Sequence, residues 1–87
     1  VNTNAAALTQ ILNKDYTAAL ATLNAVPEKT ATTDYLKAIC GARTNNVEAT
    51  VAALKAAFEK DASLKARAKK DLEFAKFAES AAFKALF

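Results

Sequence analysis

The sequence predicts an all-α fold built from antiparallel helical hairpins. Three observations carry this: a great excess of alanine, a near absence of turn-forming residues, and a turn-and-cap pattern that recurs along the chain. Of the 87 residues, 53% are apolar and 24% are charged. Alanine alone supplies 23 residues, half of the apolar set. There is one Gly and one Pro, whereas a β-rich domain of this size draws heavily on both for its turns. Alanine is the strongest helix former, so the composition predicts helix over more than about 65% of the chain and no strand.

The elements follow in order. Asn2, Thr3 and Asn4 offer N-cap side chains ahead of Ala5. A first helix over 5–12 carries Leu8, Ile11 and Leu12 at i, i+3, i+4, one helical face. Asn13-Lys14-Asp15 interrupts it, and Asp15 caps a second helix with Tyr16, Ala19, Leu20 and Leu23 on one stripe. Pro27 stops that helix, because it lacks an amide proton and disfavours helix in the residue before it. Residues 28–33 read as a polar linker. Thr32 or Thr33 caps a third helix bearing Tyr35, Leu36, Ile39 and Cys40.

Thr44-Asn45-Asn46 closes that helix, and Asn46 caps a fourth, with Glu48 at the positive end of its dipole. Val47, Val51, Leu54 and Phe58 line its inner face, with Ala53 and Ala57 beside them. Asp61 or Ser63 caps a fifth helix that runs through Leu64 and Ala68 towards Leu72, and Phe74 and Phe77 follow. Ser80 caps a last short turn holding Phe83, Leu86 and Phe87. The reading is five helices plus a short terminal one, and connections this short make neighbours antiparallel. One domain spans 1–87: a first hairpin over 5–26, a second over 33–60, and a capping helix with a terminal turn over 62–87.

An internal repeat favours a solenoid over a closed bundle. Residues 13–23 and 44–54 align at a shift of 31 residues. Both read polar turn, cap, large apolar, two variable, small, aliphatic, two variable, Leu. A period in the thirties with two helices per unit marks stacked helical hairpins. The small residue lets two helices approach, and the large residue after the cap plugs the open end of the hairpin.

These residues resemble the tetratricopeptide repeat family. Lys14-Asp15-Tyr16-Thr17-Ala18-Ala19-Leu20 is similar to the opening of the family's second helix, with Lys14 in the place of Gly. Asn45-Asn46-Val47-Glu48-Ala49-Thr50-Val51 matches again, with Thr50 in the usual place of Ala. Ala38 and Ala57 fall on small positions, whereas Lys37 stands where Leu is usual and Ala62 where Pro is usual. The unit is shorter than the family's period of about 34 residues. The segments 71–74 and 83–86 resemble the ends of such arrays, including end segments of repeat proteins from bacterial cell envelopes. The resemblance implies a short right-handed α-α superhelix whose first helices line a concave groove for a protein or peptide segment. By the repeat register that groove would present Thr32, Tyr35, Ile39, Ala42 and Arg43. Arg43 is the one of these able to grip a carboxylate. The family's carboxylate clamp combines several Lys, Arg and Asn residues, a set this chain lacks.

Composition narrows the function classes. With no His there is no imidazole base or imidazole metal ligand. One Cys excludes an intramolecular disulfide and every CxxC site. Cys40, between Ile39 and Gly41 with no His to activate it, reads as a small buried hydrophobe. Neither the pair Asp71 and Glu73 nor the pair Asp15 and Glu28 shows a cleft that would separate two carboxyl pKa values. No enzyme activity, cofactor or metal is therefore expected. Net charge is +3. The basic residues Lys60, Lys65, Arg67, Lys69 and Lys70 read as a solvated helix face, because no aromatic interleaving accompanies them. Nucleic-acid binding is not expected, nor is membrane insertion.

The expectation is a protein-binding or scaffold module, and the alternative is a structural cap or spacer with no ligand. Because the chain begins with Val1 and lacks Met, it is expected to be the C-terminal piece of a larger protein. Ala5, Leu8, Ile11 and Leu12 span more than one side of the first helix. That edge is expected to dock on upstream repeats or to drive weak self-association.

Overall fold

Each of the four longer helices begins where a short polar side chain satisfies a free backbone N–H. The computed structural model describes residues 3–87, so the candidate cap Asn2 lies outside the described residues. Helix α1 (Asn4–Leu12) is capped by Thr3, whose Oγ1 accepts from Ala6 N at 3.0 Å. Helix α2 (Tyr16–Ala25) is capped by Asp15, and α4 (Val47–Lys60) by Asn46. Helix α3 (Ala31–Arg43) starts earlier than expected, at the cap Thr30. Thr33 is the reciprocal partner in a capping box instead of the cap, its Oγ1 accepting from Thr30 N at 3.1 Å.

Helix α5 (Leu64–Lys70) ends short of Leu72. Asp71 stops it by turning its carboxylate to the next segment, a 3-10 helix over Leu72–Phe77, where Oδ1 accepts from Glu73 N at 2.9 Å. Leu72 is consequently exposed rather than on an inner stripe. Helix α6 (Ala81–Lys84) closes the chain. Neither Ser63 nor Ser80 makes a side-chain cap bond. Helix accounts for 74% of the described residues, and none of them is in a strand.

The two hairpin turns are built alike. Among the described residues Lys14 and Asn45, 31 residues apart, are the non-glycine residues with positive φ, at 63° and 58°. Beyond each, an amide reaches back five residues: Asp15 N to Gln10 O at 2.9 Å and Asn46 N to Gly41 O at 2.8 Å. This is the left-handed helix stop that normally selects Gly. The caps Asp15 and Asn46 then start α2 and α4 directly.

Helices α3 and α4 approach closely where Gly41 meets Thr50. A Cβ at that position would stand 2.6 Å from Thr50 Oγ1 and 2.9 Å from Thr50 N. Thr50 is itself fully buried, its hydroxyl donating to Asn46 O at 2.8 Å. The small residues on which this approach depends are therefore Gly41 on α3 and Thr50 on α4.

Two apolar cores result. One gathers Ala7 and Ile11 of α1, Ala19 and Leu23 of α2, and Leu36 and Cys40 of α3. The other joins Tyr35, Ala38, Leu54, Ala57 and Phe58 to Ala68, Phe74 and Phe83 from the C-terminal segments. Ile39 touches both. The tail is held on by a chain of rings. Tyr35 meets Phe74 edge-on at 5.6 Å, Phe74 meets Phe83 at 6.2 Å, and Phe87 bridges Phe83 and Phe58. Polar ties reinforce it: Lys76 Nζ donates to Ala42 O at 2.7 Å and to Asn45 Oδ1 at 3.0 Å.

The first helix divides its apolar face. Ile11 is buried in the hairpin core, whereas Leu8 and Leu12 are 46% and 73% exposed. No described helix is long and apolar enough to cross a membrane.

Candidate binding groove

Helices α1, α3 and α5 line one side of a hollow of about 320 Å3. Its apolar wall is Leu8 of α1, Leu36 and Ile39 of α3, and Leu64 of α5. Its polar groups are Asn4, Thr32, Tyr35 and Arg67. Of the five expected groove residues, Thr32, Tyr35 and Ile39 line this hollow. The structure places the other two positions elsewhere. Ala42 is 1% exposed within the second core. Arg43 lies outside the groove lining, and Glu73 takes its guanidinium at 2.8 Å.

The reason for Arg43's diversion is geometric. It ends α3, just where the 3-10 segment crosses, so Nε donates to both Glu73 oxygens and Nη1 donates to Tyr16 Oη at 3.3 Å. The Glu73 hydrogen bonds, aided by the Tyr16 hydroxyl, raise its already high basicity. Two of its five donors are thereby committed within the fold, Nε–H to Glu73 and one Nη1–H to Tyr16.

Tyr35 is committed at one end only. Its hydroxyl donates to Asp71 Oδ2 at 2.6 Å, while its ring forms part of the groove wall. Burial, and then the bond to Asp71, push its ionisation well above the ordinary tyrosine range. A neutral ring is thereby fixed in place, and Arg67 lies over it with the guanidinium carbon 5.1 Å from the centroid. Among the described residues Arg67 has no hydrogen-bond or ion-pair partner. Asn4 is engaged, its Oδ1 accepting from Thr33 Oγ1 at 2.8 Å. The Thr32 hydroxyl and the Arg67 guanidinium are the groups left to meet a ligand.

Leu8, Asn4 and Ala5 were not assigned to the groove from the sequence, although the 31-residue shift held the signal. Subtracting the 31-residue shift from Ile39, Tyr35 and Leu36 gives Leu8, Asn4 and Ala5, and all six line the groove. Arg67 stands one further shift beyond Leu36, inside the segment read as a solvated basic face.

A larger hollow, about 550 Å3, lies between α4 and the C-terminal turn, over Val51, Phe58 and Leu86. Lys55, Glu59 and Lys65 at its edge are exposed, so no rigid polar group fixes an orientation there. Cys40 is fully buried, and burial pushes its thiol up, away from the reactive thiolate. Among the described residues no group of three or more His, Cys, Asp or Glu side chains could hold a metal ion. No protein-family model, curated protein or solved structure matches this chain.

Proposed function

We propose that the chain is a protein-interaction module of tetratricopeptide type, a short right-handed superhelix of hairpins. Its groove between α1, α3 and α5 takes a peptide segment carrying aliphatic side chains and one acidic group. The observation that carries this is Arg67: an unpaired guanidinium held over Tyr35 at the rim of an apolar wall. Aliphatic side chains would lie on Leu8 and Ile39, and a carboxylate would take two of the five guanidinium donors.

Selection from a displayed random dodecapeptide library tests the reading. The expected winners pair an acidic residue with aliphatic ones, and Arg67→Glu lowers their affinity by about tenfold or more, equivalent to about 1.4 kcal/mol. The helical circular-dichroism signal should stay unchanged, because Arg67 is exposed. A library that yields no binder, or binders indifferent to Arg67→Glu, would count against the groove. It would favour the second reading, a structural cap or spacer with no ligand. One observation supports that alternative: the Tyr35 hydroxyl and Arg43 are spent holding down the tail.

A further inference from the structure

The positive charge of the chain is concentrated in one short stretch. Residues 60–70 set five cations against one acid, Asp61, whereas residues 1–59 are neutral in sum and residues 71–87 are net negative. Ala68 turns one side of α5 into the second core, which leaves Lys65, Lys69 and Lys70 in water. Among the described residues none of these three makes a hydrogen bond or an ion pair. Beside them stands Leu72, 88% exposed, the most exposed large apolar side chain among the described residues. The break at Asp71 turns it out of the fold. Lys69, Lys70 and Leu72 line one hollow of about 220 Å3. Its one acid is Asp71, and both Asp71 oxygens accept hydrogen bonds from within the fold. A neighbouring hollow continues the surface from Lys69 to the half-exposed ring of Phe87 and to Lys84, which Glu79 neutralises at 3.2 Å.

We propose that this face, α5 together with Leu72, adsorbs to the headgroups of an anionic lipid bilayer, lying on the surface without crossing it. Charge complementarity sets the sign of the partner, and the residue types set its class. Lysine is depleted from protein–protein interfaces, so three unpaired lysines around an exposed leucine fit a protein partner poorly. A nucleic-acid backbone meets the lysines but leaves the aliphatic Leu72 in water. A bilayer surface takes both, the cations among the headgroups and the leucine at the acyl boundary. Lysine suits it, because a point charge on a flexible stem needs no fixed acceptor geometry. Each lysine near an anionic leaflet contributes about fivefold in affinity, and an inserted leucine about tenfold or more. Three lysines and Leu72 multiply to about a thousandfold. That puts half-binding at about 1 mM accessible lipid, weaker than a single myristoyl chain.

Lys65, Lys69, Lys70 and Leu72 do not line the peptide groove, so vesicle binding and peptide binding succeed or fail independently. Co-sedimentation of the full chain with vesicles at up to about 5 mM lipid and about 50 mM salt tests the proposal. The vesicles are phosphatidylcholine alone, or phosphatidylcholine with about 40% phosphatidylserine. Binding is expected on the anionic vesicles only, and raising salt to about 0.5 M should release most of it. Lys70→Glu replaces attraction by repulsion and should weaken binding about twentyfold, and Leu72→Ala should weaken it about tenfold. Two matched controls lie on the first hairpin. Lys14→Glu makes the same change in net charge, and Leu12→Ala trims a side chain that is 73% exposed. Each should alter binding less than about twofold. All four positions are exposed, so the helical circular-dichroism signal should stay unchanged. No binding to anionic vesicles overturns the proposal, and so does equal weakening by Lys14→Glu and Lys70→Glu, which would make the effect one of net charge. Binding indifferent to Leu72→Ala, with a single-stranded oligonucleotide bound as tightly as the vesicles, also overturns it and makes the patch a general polyanion site.

Discussion

At the scale of single residues, two positions show opposite kinds of backbone constraint. Lys14 adopts φ 63°, a left-handed conformation that costs an L side chain about 1–2 kcal/mol. Lys14→Gly should remove that strain and give back part of it as unfolded-state entropy, a net gain of about 0.5–1 kcal/mol. A higher urea midpoint with an unchanged slope would register it. Asn45→Gly should gain less, because Asn tolerates this region and Asn45 Oδ1 also accepts from Lys76. Gly41 has the reverse constraint: its helical φ suits any residue, yet there is no room for a Cβ beside Thr50. Gly41→Ala would ordinarily gain about 1 kcal/mol of helix propensity. Here it must push α3 and α4 apart, and overpacking of this kind costs about 1–3 kcal/mol. A net loss of stability is expected in thermal melts, only partly relieved in Gly41→Ala/Thr50→Ala, because the Thr50 backbone N remains 2.9 Å away. The two turns were legible in the sequence, since polar turn and cap residues act within a few positions of themselves. Gly41 was not legible, since its role depends on a helix that crosses it from elsewhere in the chain.

At the scale of elements, the C-terminal segment behaves as a strap whose buckle is Tyr35 and Asp71. One Asp71 oxygen accepts the Tyr35 hydroxyl and the other caps the 3-10 helix, so α3 and the strap share a single carboxylate. The sequence reading put Phe74, Phe77, Phe83 and Phe87 in the C-terminal capping segment, and of these Phe74 and Phe83 are buried. The break at Asp71 was not legible, because a continuous helix through Leu72 satisfies local propensity equally well. What decides is tertiary: Asp71 makes bonds in the strap that a helical interior would forbid. The buckle has a pH signature. Burial and the Asp71 bond raise the folded-state ionisation of Tyr35 above that of an unfolded tyrosine, near about 10. A raised pKa means that the folded chain holds its proton longer than the unfolded chain. The contribution is complete below about pH 10 and is lost as pH rises beyond it. Stability of the protein should fall steeply above about pH 10, and Tyr35→Phe should fall less steeply while starting about 1 kcal/mol lower at neutral pH. Denaturation midpoints measured between about pH 7 and pH 11 would show it. Parallel curves for the two proteins would mean that Tyr35 ionises as it does in the unfolded chain.

At the scale of the whole molecule, the two cores differ in what fills them. The core under α3, α4 and the strap contains four aromatic rings with Leu54, whereas the core under α1 and α2 has Ile11, Leu23 and Leu36 among alanines and Cys40. Each large apolar side chain removed from water stabilises by about 1.5–3 kcal/mol, so the second hairpin and strap hold the greater share. Composition predicted helices everywhere but could not apportion them between cores. Alanine aligns with alanine in any register, and the joining residue Ile39 looks like any other aliphatic on its stripe. A hairpin held to the rest of a chain by few contacts can open locally while the rest stays folded. The connection to the first hairpin is modest: Leu36, Ile39 and Cys40 of α3, with hydrogen bonds from Thr33 to Asn4 at 2.8 Å, from Asn4 to Thr30 at 3.4 Å and from Arg43 to Tyr16 at 3.3 Å. Sub-global opening of α1 and α2 is therefore expected at a lower free energy than global unfolding. In native-state amide exchange, amides of α1 and α2 should exchange at least about tenfold faster than those in the middle of α3 and α4, a difference of about 1.4 kcal/mol. Leu23→Ala should speed exchange in the first hairpin alone, and Phe74→Ala should speed it throughout, because loss of the strap exposes the larger core. Uniform protection in all four helices, moved equally by both substitutions, would show a single cooperative unit in which Ile39 couples the cores completely.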